Sequence, residues 1–195
     1  MQLLKVVAGA ALAAVAAAGC APVPQVVTLD PQPEVVERFT DTPKQVALRV
    51  VDRRPRDILG YRDKESEVTL TAQENLDATV HDAVAAGLTR RGFEVVSWDP
   101  DADRRLEVEV TDFDYVAERV TTGVGRQVFI SVDLTATAQR GERRHTAEFS
   151  TNTSERVIIG PTRAKNERMV NDVLSRAVTR VVNEDALVRL LDSAP

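Results

Sequence analysis

The sequence predicts an α+β fold: a two-layer sandwich in which a mostly antiparallel sheet of about 4–5 strands carries two amphipathic helices on one face, in the order β-α-β-β-β-β-α. Three observations predict it. Val128, Ile130, Val132, Leu134, Ala136 and Ala138 alternate with mostly polar neighbours, the period of a strand with one buried face. Leu76, Val80, Val84 and Leu88 recur every four residues, which lines one side of a helix. The 195 residues are 43% hydrophobic, enough for one core.

The elements follow in order along residues 45–195. Val46, Leu48 and Val50 alternate through Gln45–Asp52, the first strand. A polar loop from Arg53 to Glu65 is broken by Pro55 and Gly60, and Glu67–Leu70 add a short strand. Thr71-Ala72-Gln73-Glu74 matches a capping box, so a helix is expected over 72–91, with Arg90 and Arg91 complementing its carboxyl end and Gly92 as its left-handed cap. Phe93–Trp98 reads as the next strand, with the first strand and the helix forming a crossover unit. After a hydrophilic turn come strands at Leu106–Glu118, Val128–Ala138 and Arg144–Val157, the last two joined by the tight turn Arg140-Gly141-Glu142-Arg143. Pro161 and Thr162 open a helix whose face carries Val170, Val173, Leu174, Ala177, Val178 and Val181, and a last short helix covers Glu184–Leu191.

The first residues read as a targeting signal. Lys5 precedes an apolar run from Val6 to Ala18, too short for a bilayer, which takes roughly 20 helical residues. Residues 1–19 are therefore expected to be removed. Ala17-Ala18-Gly19-Cys20 resembles the bacterial lipobox, in which the cysteine sulfur carries diacylglycerol, the signal is cut before it, and the new amino end is acylated too. Alanine stands at position 17 where leucine is usual. Cys20 is the only cysteine, so no internal disulfide forms and the alternative is an incidental thiol left by an ordinary signal. Several acyl chains anchor stably, each buried methylene adding about 0.8 kcal/mol.

Residues 20–44 hold Pro22, Pro24, Pro31, Pro33 and Pro43 and read as a lipidated, extended tether. Fully extended it reaches up to roughly 70 Å. The other course open to it is that Val26, Val27, Val35, Val36 and Phe39 fold back on the domain. Residues 45–195 form a single periplasmic domain on this reading.

Further residues carry a family resemblance. Val50-Val51-Asp52-Arg53-Arg54-Pro55, then Leu59-Gly60-Tyr61-Arg62, then Leu70-Thr71-Ala72 leading to Leu88-Thr89-Arg90-Arg91-Gly92-Phe93, resemble the YajG family of bacterial lipoproteins in order and spacing. The resemblance implies a palmitate-type lipid anchor on an envelope protein of the outer membrane, a location that Ala21, rather than aspartate, after the cysteine also favours. It brings no catalytic, cofactor-binding or metal-binding residues. From the residues themselves, Asp52 and Arg54 face one side of an extended segment, where they pair to order the strand exit or present arginine to an anionic partner.

Asp99, Asp101 and Asp103 start like a calcium loop, but Arg104 and Val110 stand where glycine and glutamate are needed. Asp112 and Asp114 share a strand face about 7 Å apart, the residue types of a glycoside hydrolase pair, which makes a peptidoglycan hydrolase the alternative reading. His81 and His145 lack a second ligand at metal spacing. Gly123-Val124-Gly125 lacks the third glycine of a dinucleotide loop and reads as a turn between strands. The net charge of −5, with basic pairs flanked by acids, speaks against nucleic acid. The expectation is a non-enzymatic, cofactor-free envelope lipoprotein, anchored by Cys20, binding an envelope protein or polymer, or serving a purely structural role.

Overall fold

A computed structural model describes residues 23–158 and 160–193, so Cys20 and the expected signal lie outside the described residues. The strands are β1 Gln25–Val27, β2 Lys44–Asp52, β3 Gly60–Asp63, β4 Val68–Ala72, β5 Phe93–Val96, β6 Arg104–Arg119, β7 Arg126–Arg140 and β8 Arg143–Val157. The helices are α1 Leu76–Arg90, α2 Arg163–Asn183 and α3 Asp185–Asp192. Among the described residues no helix is long and apolar enough to cross a membrane.

The expected mostly antiparallel sheet of four or five strands is corrected to one mixed sheet of eight, curled into a half-barrel. Its pairings β1–β4, β2–β5, β2–β6 and β3–β6 are parallel, whereas β3–β4, β6–β7 and β7–β8 are antiparallel. The long strand β6 organises it. One edge of β6 pairs with β7 along its whole length. The other edge is shared: Arg105–Val110 take β2, and Tyr115–Val116 take β3. The division falls beside a bulge between Val110 and Asp112, and the buried positions change from Leu106, Val108 and Val110 to Phe113, Tyr115 and Ala117 there. One inserted residue shifts the period-2 alternation by one, which keeps the apolar side chains on the helix side across the bulge.

The expected order β-α-β-β-β-β-α is corrected too. Two strands were unread: β1 lies inside the proline-rich segment, and β3 inside the polar loop. The capping box also fails. Thr71 and Ala72 pair with Val26 and Val27 of β1, so α1 starts later, with Asn75 as its cap and no side-chain cap bond. Glu74 accepts from the Leu29 amide at 3.2 Å instead of from its own helix. Recruitment of 68–72 by a neighbouring strand outweighed a local capping preference that is typically worth about 1 kcal/mol. Gly92 does take a left-handed conformation after α1, with φ +85°.

Helix α1 packs on β2 and β5, and α2 and α3 on β7 and β8, with α1 against α2. Leu134, Leu174, Val178 and Leu191 are among the side chains that fill the single core. The opposite sheet face has no helix over it among the described residues. There Arg49 stacks on Trp98, 4.2 Å from the ring centroid, and pairs with Glu107.

Candidate functional site

The strand exit at Asp52 is built by an ion pair two residues apart. Arg54 Nε lies 2.9 Å from Asp52 Oδ1, and its terminal nitrogen 2.7 Å from Oδ2. The same guanidinium donates to the Ile58 carbonyl at 3.0 Å, and its side chain is almost wholly covered. Burial pushes the Asp52 carboxyl up, but its bonds to Arg54 hold it below its ordinary value on balance. Arg54 thus closes the 53–59 loop rather than facing a partner, the first of the two roles read from the sequence. The loop bridges the divided edge of β6: the Arg53 amide donates to Val110 O, and the Tyr115 amide to Leu59 O.

Beyond it lies a buried polar cluster. Tyr115 Oη donates to Asn166 Oδ1 at 2.6 Å, and Asn166 Nδ2 is 2.7 Å from the Gln25 side-chain amide. Arg62 reaches that amide at 3.0 Å and donates to the Val23 carbonyl at 2.5 Å. Burial lowers the Arg62 guanidinium and raises the Tyr115 phenol above its usual range. Asp63 is buried against Arg126 at 2.8 Å; although burial raises its carboxyl, bonds from Arg126 and from residues 65 and 66 hold it far below normal. These groups lock β1, β3, β6 and α2 together.

The proline-rich segment takes the folded-back course from Gln25 to Arg38. The amides of Thr28, Asp30, Gln32, Glu34 and Val36 donate in turn to side chains of Glu167, Asn171, Ser175, Thr179 and Asn183 on α2. Asn171 and Asn183 donate back to the carbonyls of Thr28 and Glu34. The match is geometric. Two residues of extended, proline-compatible chain advance about 6.2 Å, and four residues of α-helix about 6.0 Å, so alternate amides meet every fourth side chain. Glu167 is held below its ordinary carboxyl value by bonds from Arg163 and the Thr28 amide.

This strap forms one wall of a groove of about 620 Å³. Asp30, Gln32 and Glu34 face across the polar side of α2, including Asp172, Ser175 and Arg176, to Thr153 and Glu155 of β8. Among the described residues strand β8 pairs with β7 alone, and its other edge reaches the groove at Thr153 and Glu155. Charged and short polar side chains crowd that edge, and Arg180 of α2 donates to the Ser150 carbonyl. The groove brings polar groups of the strap and of α2 next to the β8 edge.

The other residues singled out by sequence are scattered. Asp112 and Asp114 share the sheet face away from the helices. Asp114 meets Arg56 at 3.4 Å and borders a depression of about 300 Å³ with Phe129, Ser131 and Asn152, whereas Asp112 stands opposite Asp133. Asp99 Oδ1 accepts from the Asp101 amide, and Asp103 pairs with Arg104 at 3.0 Å, so the acidic turn is occupied by its own bonds. His81 sits on exposed α1 beside Asp82, and His145 on β8 opposite Ala138. Gly123 and Gly125 lie in the β6–β7 connection with positive φ.

The α2 ladder escaped sequence reading. Its signal was there: Asn171, Ser175, Thr179 and Asn183 form a fourfold-spaced stripe of short uncharged polar residues, where a solvated helix face usually carries lysine and glutamate.

A family model described as an uncharacterized lipoprotein matches residues 31–192. No curated protein matches the chain in sequence. Among solved structures, a Xanthomonas campestris protein superposes with a TM-score of 0.55 at 11% identity, covering 86% of this chain and 98% of its own. A second, described as an uncharacterized protein, gives 0.52 at 12% identity over 82% and 99%. A minor lipoprotein from Acinetobacter baumannii gives 0.46 at 9% identity over 79% and 98%. At these identities the likeness is one of fold.

Proposed function

Because the chain belongs to this family of uncharacterized lipoproteins, we propose that it is a non-enzymatic envelope lipoprotein of YajG type that captures an extended segment of an envelope protein along β8. In this reading diacylglycerol is attached to Cys20, and the domain faces the periplasm from the outer membrane. The observation that carries the binding role is the edge of β8 that has no strand neighbour among the described residues and that meets the α2 groove at Thr153 and Glu155. An unpaired strand offers main-chain donors and acceptors in a row, and a partner strand satisfies them while its alternate side chains enter the flanking groove. The groove residues Asp30, Glu34, Glu155 and Asp172 supply polar selectivity at its rim.

The test is photocrosslinking in cells with the full lipidated chain. A benzophenone side chain at Thr153, on the edge, is expected to yield one dominant envelope adduct absent when the same group replaces Asp82 on α1. Identical adduct patterns at the two positions, or none, would sink the edge-binding reading. Clearing of peptidoglycan by the native chain that disappears in both Asp112→Ala and Asp114→Ala would instead establish the hydrolase.

A further inference from the structure

We propose that the domain rests directly on the lipid bilayer, through the end formed by Val23, the β6–β7 connection and Ile158. This inference depends on lipid attachment at Cys20.

The strap decides the geometry. A free segment from Cys20 to Lys44 would hold the domain tens of ångströms away. With Gln25–Val36 bound to β4 and α2, that length is no longer available. Three peptide units separate Val23 from Cys20, a covalent reach of at most about 10 Å. Val23 itself is tied to the fold by the Arg62 guanidinium on its carbonyl. The bilayer therefore lies next to whatever surrounds Val23.

Three aliphatic side chains face outward at that end. Arg62 also reaches the Pro161 carbonyl, at 3.5 Å, which brings the β8–α2 connection to the same end. Gly125 packs so tightly on that connection that a Cβ would stand 2.3 Å from the Val157 carbonyl oxygen. Arg156 donates to the carbonyls of Thr122 and Val124, holding the β6–β7 connection in place. Val23, Val124 and Ile158 are 62%, 73% and 75% exposed there. Branched aliphatic side chains held out at the end of a folded body, beside its lipid, have the chemistry of a shallow bilayer contact.

The charges fit as well. Glu65 pairs with Arg126, Glu118 with Lys64, and Glu155 with Lys165, so most acids of this end are neutralised among the described residues. Arg119 has no side-chain partner among the described residues and borders Val124 and Ile158. A guanidinium beside apolar tips suits the phosphate layer just above the acyl boundary.

The rival contact is at the far end. Phe39 is 93% exposed, but it follows the strap past the carboxyl end of α2, whose 21 residues span about 30 Å.

The experiment uses the lipidated full chain in vesicles of phosphatidylethanolamine and phosphatidylglycerol. Val124→Cys, Ile158→Cys and Phe39→Cys are each labelled with an environment-sensitive fluorophore, the introduced thiol being the free one once Cys20 carries lipid. Nitroxide-bearing lipids should quench the probes at 124 and 158 several-fold more than the probe at 39, with blue-shifted emission. Equal quenching at the three sites, or stronger quenching at 39, on protein that floats with the vesicles would overturn the contact and leave the anchor intact. Protein that does not float and has an unmodified mass at Cys20 would overturn the anchor itself, and this proposal with it.

Discussion

The Tyr115 hydroxyl donates to Asn166 Oδ1 at 2.6 Å, a buried side-chain bond between the central strand β6 and helix α2. Both residues are shut off from solvent. Burial raises the phenol above its ordinary range, which favours the donor form. Tyr115→Phe leaves Asn166 Oδ1 without that donor inside the core. The expected loss is about 1–3 kcal/mol in urea unfolding. If the two groups act as a pair, Tyr115→Phe with Asn166→Leu costs less than the sum of the single changes.

Gly60 meets the same strand through its backbone. Its φ is +145°, and an added Cβ would stand 2.1 Å from the Tyr115 carbonyl oxygen, an atom that no rotamer change moves away. Gly60→Ala should therefore cost upwards of about 2 kcal/mol, through strain and the loss of β3 from β6. Gly141, with φ +53° and open space where its Cβ would lie, is the control. Gly141→Ala should cost about 1 kcal/mol. Equal thermal shifts for the two variants would show that contact with Tyr115 is not what constrains β3.

Asp63 brings a pH dependence with a definite sign. Its folded-state carboxyl sits below the ordinary value of 3.8, because bonds from Arg126 and from residues 65 and 66 outweigh the burial that raises it. The stability it contributes is complete above that ordinary value and is lost as pH falls through the lower folded value. Asp63→Asn should cost about 1–3 kcal/mol at neutral pH by removing the nearer of the two carboxylates that face Arg126, Glu65 remaining as the other. It should also flatten the fall in stability between roughly pH 4 and pH 2. Asp52 and Asp192 are shifted the same way, so part of the slope persists. An unchanged slope in acid unfolding curves would remove Asp63 from that account.

Legibility in the sequence followed the source of each element's stability. Strand β7 and helix α2 were readable because Val128–Ala138 and Val170–Val181 bury a periodic apolar face, which is what hydrophobic periodicity reports. Strands β1 and β3 were not. Gln25, Arg62 and Asp63 point into the structure as polar groups whose bonding partners, Asn166 and Arg126, lie far along the chain. A local pattern cannot encode partners that only the fold brings close. The parallel pairings of β6 with β2 and β3 were hidden for the same reason: the Val110–Asp112 bulge divides one edge between two partners. Asp52 and Arg54 were legible because two residues of extended chain suffice to bring them together. Of the candidate site, the open edge follows from strand order, and the strap wall follows from a spacing coincidence between helix and extended chain.

That coincidence gives the most direct test of how the domain is held. Asn171 accepts from the Asp30 amide at 2.7 Å and donates to the Thr28 carbonyl at 3.0 Å. Asn183 makes the equivalent pair of bonds with Val36 and Glu34, at 3.1 and 2.8 Å. Each asparagine thus satisfies one donor and one acceptor of a segment that, among the described residues, has no sheet neighbour beyond Val27. Asn171→Ala and Asn183→Ala together leave the core side chains Leu174 and Val178 untouched. The strap alone should loosen, at about 1 kcal/mol per lost bond. Hydrogen exchange at the Asp30 and Val36 amides is then expected to quicken roughly tenfold or more, while Leu134 in β7 keeps its protection. A global loss of protection would mean that the strap is part of the cooperative core. Unchanged exchange at Asp30 and Val36 would mean that the ladder does not hold the strap.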